Sequence, residues 1–187
     1  MRLWFPLLAL LVSAGTAQAK PWTVDYENST LTFSGSQAGT PFLGSFKHFT
    51  TDIDFDPANP NTGSITVEID MASASIADDD EQNDALPTDD WFATTKFPHA
   101  VFKSTAIRNI ADNRYEARGN LTIRDITHPA ILPFTLTPEG DATRANGAVG
   151  LMRNAYKLGG DQWADEQWIA YPVVVTYSIL ATPQNAQ

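Results

Sequence analysis

The first residues in this chain that could do chemistry are its histidines. His48, His99 and His128 lie far apart, and none belongs to the His-Glu-x-x-His pattern of a zinc-binding helix. Each one directly precedes or follows a stretch of alternating apolar residues, where an ordinary turn or surface histidine is the simpler interpretation. The sequence therefore predicts no metal site at the histidines.

A second candidate is calcium binding by the aspartates of Asp52-x-Asp54-x-Asp56. An EF-hand loop needs glycine at its sixth position and glutamate at its twelfth. Counted from Asp52, these positions hold Pro57 and Gly63, so the pattern fails. The end of a strand that runs into an Asp-Pro turn explains the three aspartates better.

Motifs for nucleophilic and cofactor chemistry are also missing from the sequence. It has no Gly-x-Ser-x-Gly elbow and no phosphate-binding glycine loop. It has no cysteine, which excludes thiol catalysis, cysteine-ligated zinc, iron–sulfur clusters and c-type haem attachment. We therefore expect that this protein is not an enzyme and that it has no catalytic residues, no metal and no cofactor. The alternative of a small hydrolase or isomerase would need a titratable acid buried inside the fold.

The N-terminus predicts export. Arg2 precedes an apolar run over residues 3–12, and the segment ends in Ala17-Gln18-Ala19. A basic start, an apolar core of about ten residues and an Ala-x-Ala ending are typical of a cleavable signal peptide. We expect residues 1–19 to be removed by cleavage after Ala19. The mature protein is then expected in the periplasm, with a single domain over residues 20–187.

The charge of the chain limits its partners. Its formal net charge is −10. An acidic protein is poorly suited to nucleic acid and to anionic lipid head groups, which favour basic patches. We therefore expect no nucleic-acid partner.

Alternating apolar and polar residues predict strands over most of the remaining chain. The clearest is 64–70, where Ile65, Val67 and Ile69 share one face. The other predicted strands cover 29–33, 42–46, 100–107, 114–124, 130–136, 148–153 and 168–180. The segment Glu81–Ala93, interrupted at Pro87, is the best helix candidate, so the sequence predicts an all-β barrel or sandwich of about eight strands.

What fills the interior decides the function. Residues 130–134 and 173–175 are apolar at consecutive positions, which is typical of strands buried on both faces, so the Glu81–Ala93 segment is a candidate cover for one face. A solid core and a hollow barrel lined by aromatic residues both fit this composition. A carbohydrate-binding or scaffold sandwich with exposed aromatic residues is an alternative, and Trp163 is the tryptophan with the most polar neighbours. Arg153, at the end of an apolar strand, needs an acceptor: a core carboxylate or the polar end of a ligand.

An ordered set of short motifs resembles the YceI-like family of exported lipid-binding domains. The set begins at Trp22-x-x-Asp25, Ser29-x-Leu31-x-Phe33 and Gly44-x-Phe46, and it closes with Arg153-x-x-Tyr156-x-Leu158-Gly159. Its strongest part comprises Trp91-Phe92, Phe97-Pro98-x3-Phe102-x-Ser104-Thr105, Gly119-x-Leu121-Thr122-Ile123 and Thr127-x-Pro129. The chain departs from the family at Asp125-Ile126-Thr127, where members often have Gly-Val-Thr, and at Ala85, where many have histidine.

The resemblance implies a lipocalin-like, eight-stranded antiparallel barrel with one or two short helices. It also implies a polyisoprenoid, quinone-like or fatty-chain lipid as ligand, without catalysis, and transient contact with a membrane or with a cytochrome b561-type membrane protein. On this basis the residues expected to line the cavity are Phe33, Phe46, Phe92, Phe97, Phe102, Leu121, Ile123 and Phe134. Arg153 and Tyr156 are the candidates for the polar end of the ligand.

Overall fold

The computed structural model describes residues 20–77, 79–160 and 163–184. The predicted signal peptide, residues 1–19, lies outside the described residues. The strands are β1 (Trp22–Gln37), β2 (Thr40–Phe46), β3 (Phe49–Asp54), β4 (Ser64–Asp70), β5 (Ala74–Ile76), β6 (His99–Ala111), β7 (Arg114–Ile123), β8 (Ile126–Glu139), β9 (Ala142–Met152) and β10 (Pro172–Pro183). The helix α1 (Asp80–Ala85) follows β5, and 3-10 turns occupy Pro60–Thr62, Met71–Ser73 and Arg153–Tyr156.

The fold is all-β, as the sequence predicts, although the described part of the chain has ten strands instead of eight. All belong to one antiparallel sheet. The two extra strands arise from interruptions. Lys47 and His48 separate β2 from β3, and the turn Met71–Ser73 separates β4 from β5. Since β2 pairs with β5 and β3 with β4, each interrupted pair is one bent strand of an eight-stranded barrel.

Backbone hydrogen bonds close the sheet into a barrel. β1 pairs with β10 on one side and with β2 on the other, while β4 pairs with β6. The interruption is itself bridged, because Lys47 N donates to Ser73 O and Asp70 N donates to His48 O. The strand order around the barrel is therefore continuous from β6 through β10 and β1 to the bent strands.

The two ends of the barrel differ. At the base, β1 begins beside the end of β3, where Pro21 bridges Asp54. At the opposite end, which we call the α1 end, the chain adds α1, the turns of residues 86–98 and the segments 153–160 and 163–171. None of the helices in the part of the chain that the structure describes has the length and apolar character needed to span a bilayer.

Alternation along the strands fills the interior. In β7, Tyr115, Ala117, Leu121 and Ile123 are buried while their neighbours face outward. The same period of two places one apolar face of each strand inside the barrel.

The predicted helix Glu81–Ala93, interrupted at Pro87, is confirmed only in its first part, and its predicted role as a cover for a sheet face is wrong. The α-helix ends at Ala85, and tight turns follow, because Pro87 has no N–H with which to continue a helix. Side chains of α1 line the end of the barrel and do not cover a sheet face. The outer face needs no such cover: Ile131 and Val174, which lie in the consecutive apolar runs, are each 43% exposed.

Gly119 provides the first testable prediction, which concerns close packing of β6 on β7. A Cβ at Gly119 would lie 2.2 Å from the carbonyl oxygen of Lys103 and 2.8 Å from the ring of Phe102. We expect Gly119→Ala to lower the free energy of unfolding by about 1–3 kcal/mol, since the strand backbone would have to move. Urea denaturation would measure it.

The matched control is Gly150→Ala in β9, where a new Cβ meets no atom within 4 Å. This variant should unfold within about 0.5 kcal/mol of the parent protein. Equal stability of the Gly119 and Gly150 variants would contradict the packing argument.

Candidate functional site

A cavity of about 360 Å³ runs through the interior of the barrel. The cavity wall is almost entirely apolar, and all ten described strands, α1 and the segments 153–160 and 163–171 contribute to it. Its volume is within the range of about 300–1,000 Å³ that is usual for small-molecule sites. The interior is therefore hollow, and the packed interior of the sandwich alternative does not describe this fold.

Aromatic side chains form one wall of the cavity near the α1 end. The ring centroids of Phe33 and Phe46 are 4.9 Å apart, and those of Phe46 and Phe92 are 6.2 Å apart. Gly44 makes this wall possible, since a Cβ there would lie 2.2 Å from the ring of Phe33. The result is a smooth surface of rings without polar atoms.

A second aromatic cluster closes the base. The rings of Tyr115 and Phe134 stack with centroids 5.4 Å apart, and Phe55 packs edge-on against both. Trp22 donates its indole N–H to the carbonyl of Phe55 at 2.8 Å. These contacts fix the base of the barrel.

Arg153 lies at the α1 end with its guanidinium buried, and its side chain is 3% exposed. Its three nitrogens donate to the carbonyl oxygens of Leu158, Asp165, Ile169 and Ala170 at 2.7–3.2 Å. Its guanidinium carbon also lies 5.7 Å from the ring centre of Trp91 and 5.2 Å from that of Tyr171, within cation–π range. Burial lowers the pKa of Arg153.

The protein acceptors of Arg153 are therefore backbone carbonyls and not a core carboxylate, while its contact with the polar end of a ligand stays a prediction. Among the described residues no carboxylate forms a salt bridge with it. The arginine instead holds the chain after the 3-10 turn in place through its backbone carbonyls. It lines the cavity, but most of its N–H groups are already used.

Two tyrosines line the described part of the cavity wall, the buried Tyr156 and the half-buried Tyr177. Tyr177 donates its hydroxyl to the carbonyl of Pro133 at 2.6 Å. For Tyr156, in contrast, no hydroxyl hydrogen bond is formed with any residue that the structure describes, and His128 packs edge-on against its ring at 5.1 Å. Burial raises the pKa of both phenols, so both are neutral donors at physiological pH.

Polar side chains gather at the rim of the α1 end. Gln37, Asp79, Glu81 and Gln82 border the cavity there. The Asp79 carboxylate caps α1 by accepting from the backbone N–H and the side-chain amide of Gln82, at 2.8 and 2.7 Å. It is therefore engaged in structure, while Glu81 remains exposed.

The structure places nine of the ten predicted site residues on the cavity wall: Phe33, Phe46, Phe92, Phe102, Leu121, Ile123, Phe134, Arg153 and Tyr156. Phe97 is not among the residues that line the cavity, and its half-buried ring faces the guanidinium of Arg124 at 5.9 Å. Contact of these side chains with a ligand stays a prediction.

Sequence reasoning missed two parts of the wall. Val173, Val175, Tyr177 and Ile179 of β10 line the cavity, and their spacing of two could have indicated it. Trp163, considered above as an exposed sugar platform, also borders the cavity. Trp168, which lies in an apolar pattern, is 53% exposed.

The described residues contain no group of three or more His, Asp or Glu side chains placed to hold a metal ion. His48 and His99 instead lie 3.9 and 3.6 Å from single carboxylates of Asp70 and Glu68. His128 lies 3.1 Å from the carbonyl of Ala155.

A closed antiparallel barrel with an apolar interior and a polar rim defines a lipocalin-like binding protein. Residues 22–181 match the model of the YceI-like domain family. The chain therefore belongs to the YceI-like family.

Relatives from several bacteria share most of the domain. The chain is 32% identical to Protein YceI of Shigella flexneri over 136 residues, which are 71% of this chain and 70% of that protein. It is 31% identical to a UPF0312 protein of Pseudomonas savastanoi pv. phaseolicola over 133 residues, which are 70% and 69% of the two chains.

Solved structures show the same fold. The crystal structure of Burkholderia cenocepacia BcnA matches with a TM-score of 0.81 and 31% identity, covering 86% of this chain and 100% of that one. The YCEI protein of Campylobacter jejuni matches with a TM-score of 0.64 and 19% identity, covering 76% and 85%. This second similarity concerns the fold alone.

Proposed function

We propose that this protein is an exported, periplasmic binding protein that sequesters or carries one long-chain lipid inside its barrel, without catalysis. The ligand class is an isoprenoid, a quinone-like molecule or another fatty chain. The observation that supports this most is the continuous apolar cavity, whose wall offers rings and aliphatic side chains over its whole length. A membrane supplies or receives the lipid, and a cytochrome b561-type membrane protein is a partner for a quinone-like ligand.

The energetics suit a carrier. Each buried CH₂ group contributes about 0.8 kcal/mol relative to water, so a five-carbon isoprene unit contributes roughly 4 kcal/mol. A few units would approach the practical limit of non-covalent affinity near −20 kcal/mol, before the costs of binding are deducted. In a bilayer, however, the same chain is already out of water. Transfer from membrane to cavity is then nearly balanced, which permits both uptake and release.

The test is native mass spectrometry and organic extraction of protein purified from its own host. We expect a co-purifying isoprenoid, quinone or fatty-chain lipid in a one-to-one complex. Delipidated protein should also take up a labelled lipid of that class from vesicles. Protein that is empty after repeated extraction and takes up no lipid from vesicles would refute the proposal.

Tyr156 leads to a prediction about selectivity. Its hydroxyl forms no hydrogen bond with a described residue, so Tyr156→Phe removes a donor that is available to a ligand. We expect the Kd for an isoprenoid alcohol to rise about fivefold, equivalent to one neutral hydrogen bond of about 1 kcal/mol. The Kd for the corresponding hydrocarbon should not change. Fluorescence displacement titration would measure both constants.

Tyr177→Phe is the control, because its hydroxyl bonds to Pro133 and is not free for a ligand. This variant should lose stability by about 1 kcal/mol and keep the ratio of the two Kd values. If Tyr156→Phe weakens both ligands equally, the hydroxyl does not contact the polar end.

A further inference from the structure

The barrel wall has a gap between two neighbouring strands. β8 and β9 pair from Thr135 with Asn146 to Glu139 with Ala142, near the base. Towards the α1 end, residues 126–134 of β8 and 147–152 of β9 have no paired positions, although each strand stays paired on its other side. We call this gap the β8–β9 slot.

Two side-chain hydrogen bonds mark the limits of the slot. At its lower end the hydroxyl of Tyr177, from β10, reaches across β9 to the carbonyl of Pro133. Gly147 leaves room for that crossing, since a Cβ there would lie 2.5 Å from the Tyr177 ring. At its upper end the ring of His128 meets the carbonyl of Ala155 at 3.1 Å. Between these limits the two strands are not joined by backbone pairing.

The sequence of β8 allows its edge to stay unpaired. Because the Pro133 carbonyl points towards β9, alternation along the strand makes Pro129 and Ile131 face the same way. Two of these three positions are prolines, which have no N–H to leave unsatisfied. Prolines also make this edge a poor template for an added peptide strand. The edge is therefore suited to remain open, and not to bind a peptide.

The slot adjoins the cavity. An outer groove over the slot is lined by Pro129, Ile131, Gly150, Val149 and Leu151, and the last two also line the interior cavity. A single layer of two aliphatic side chains thus separates the inside of the barrel from its surface at this place.

The outer surface beside the slot carries three exposed apolar side chains, and the charged Glu116 lies at the edge of the groove. Ile131, Met152 and Val174 are 43–47% exposed on β8, β9 and β10. Val174 pairs with Gly150, which carries no side chain to cover the groove. A hydrocarbon chain at this surface would meet apolar groups outside and inside the wall.

We propose that the β8–β9 slot is a lateral portal through which the hydrocarbon chain of the ligand enters and leaves the cavity, by displacement of the Val149 and Leu151 side chains. This inference rests on the proposed lipid-binding function and names its route. Lateral passage lets the chain move sideways into the barrel, without threading end-on past the crowded α1 end.

A reversible bridge across the slot tests the route. Since the chain has no cysteine, the double variant Ile131→Cys/Gly150→Cys can be bridged selectively with a short bis-methanethiosulfonate reagent and released with a reductant. The control Thr135→Cys/Asn146→Cys receives the same bridge where β8 and β9 are already paired. Each single-cysteine variant, labelled with a monofunctional reagent, controls for bulk at the groove. Stopped-flow transfer of a fluorescent isoprenoid from neutral phosphatidylcholine vesicles gives the rates.

We expect the slot bridge to slow uptake and release at least tenfold, with the equilibrium amount bound unchanged and the rates restored by reductant. The control bridge and the monofunctional labels should change the rates less than twofold. Equal rates with and without the slot bridge, in protein that still binds lipid, would overturn the portal and leave the binding function standing. Failure of every variant, including the unmodified protein, to take up lipid would refute both.

Discussion

Replacing Leu121 by tryptophan is expected to abolish lipid uptake while the barrel stays folded. Leu121 lies on β7, is 8% exposed and lines the cavity, and it pairs with Phe102 of β6. A tryptophan ring at this position would occupy the space that a lipid chain needs. We expect uptake from vesicles to fall at least tenfold. Loss of stability should be at most about 1–3 kcal/mol, because the ring enters a cavity and not a filled core.

The matched control is Asn120→Trp, on the same strand one residue earlier. Asn120 is exposed, so this variant adds the same ring to the outer face of the barrel. It should take up lipid at the rate of the parent protein. Uptake by a folded Leu121→Trp variant at the parent rate would show that the lipid chain does not lie beside Leu121 of β7, and would contradict this placement of the ligand.

The second large effect is expected at Arg153, and it concerns stability. Arg153→Met removes the buried guanidinium with all its N–H donors. Four backbone carbonyls then lose their hydrogen-bond donor, those of Leu158, Asp165, Ile169 and Ala170. Hydrogen bonds to a charged group are each worth roughly 1.5–3 kcal/mol, so we expect a loss of at least about 3 kcal/mol in the free energy of unfolding. Urea denaturation with circular dichroism measures it.

Arg153→Lys separates charge from geometry. One ammonium cannot reach carbonyls that surround a planar guanidinium, so this variant should recover less than half of the lost stability. Arg118→Met is the control, because Arg118 is exposed and makes a surface ion pair with Glu116 at 3.4 Å. It should change stability by less than about 1 kcal/mol. A loss at Arg153→Met no larger than at Arg118→Met would contradict the structural role of Arg153.

Much of the barrel could be predicted from periodicity. Ile65, Val67 and Ile69 line one face of β4 and border the cavity, as their spacing indicates. The prediction for the apolar runs 130–134 and 173–175 was wrong. Their consecutive apolar residues indicated strands buried on both faces, but Ile131 and Val174 are exposed. Alternation with a period of two indicates which residues share one face of a strand. It does not distinguish an apolar residue on the outer face from a buried one on the inner face.

The hollow interior could not be predicted from the pattern. Phe33, Phe46 and Phe102 would have the same spacing in a solid core, and the cavity depends on how far strands on opposite sides of the barrel stand apart. The hydrogen-bond partners of Arg153 could not be predicted from the sequence for a different reason. They are backbone carbonyls, which every residue has, so no residue type marks them. The unpaired stretch of β8 was marked by Pro129 and Pro133, although the side that they face depends on the register.

Pairing of β1 with β10 has a consequence for how this protein folds. The first described strand and the last lie side by side, with Trp22 opposite Pro183, so closure of the barrel joins residues about 160 positions apart. Contacts between such distant residues slow folding, since the entropy of closing the intervening chain must be overcome first. The β6–β10 meander, whose partners are adjacent in sequence, can form earlier. The barrel therefore cannot complete itself until its final strand has been synthesised and, if the chain is exported as proposed, has crossed the membrane.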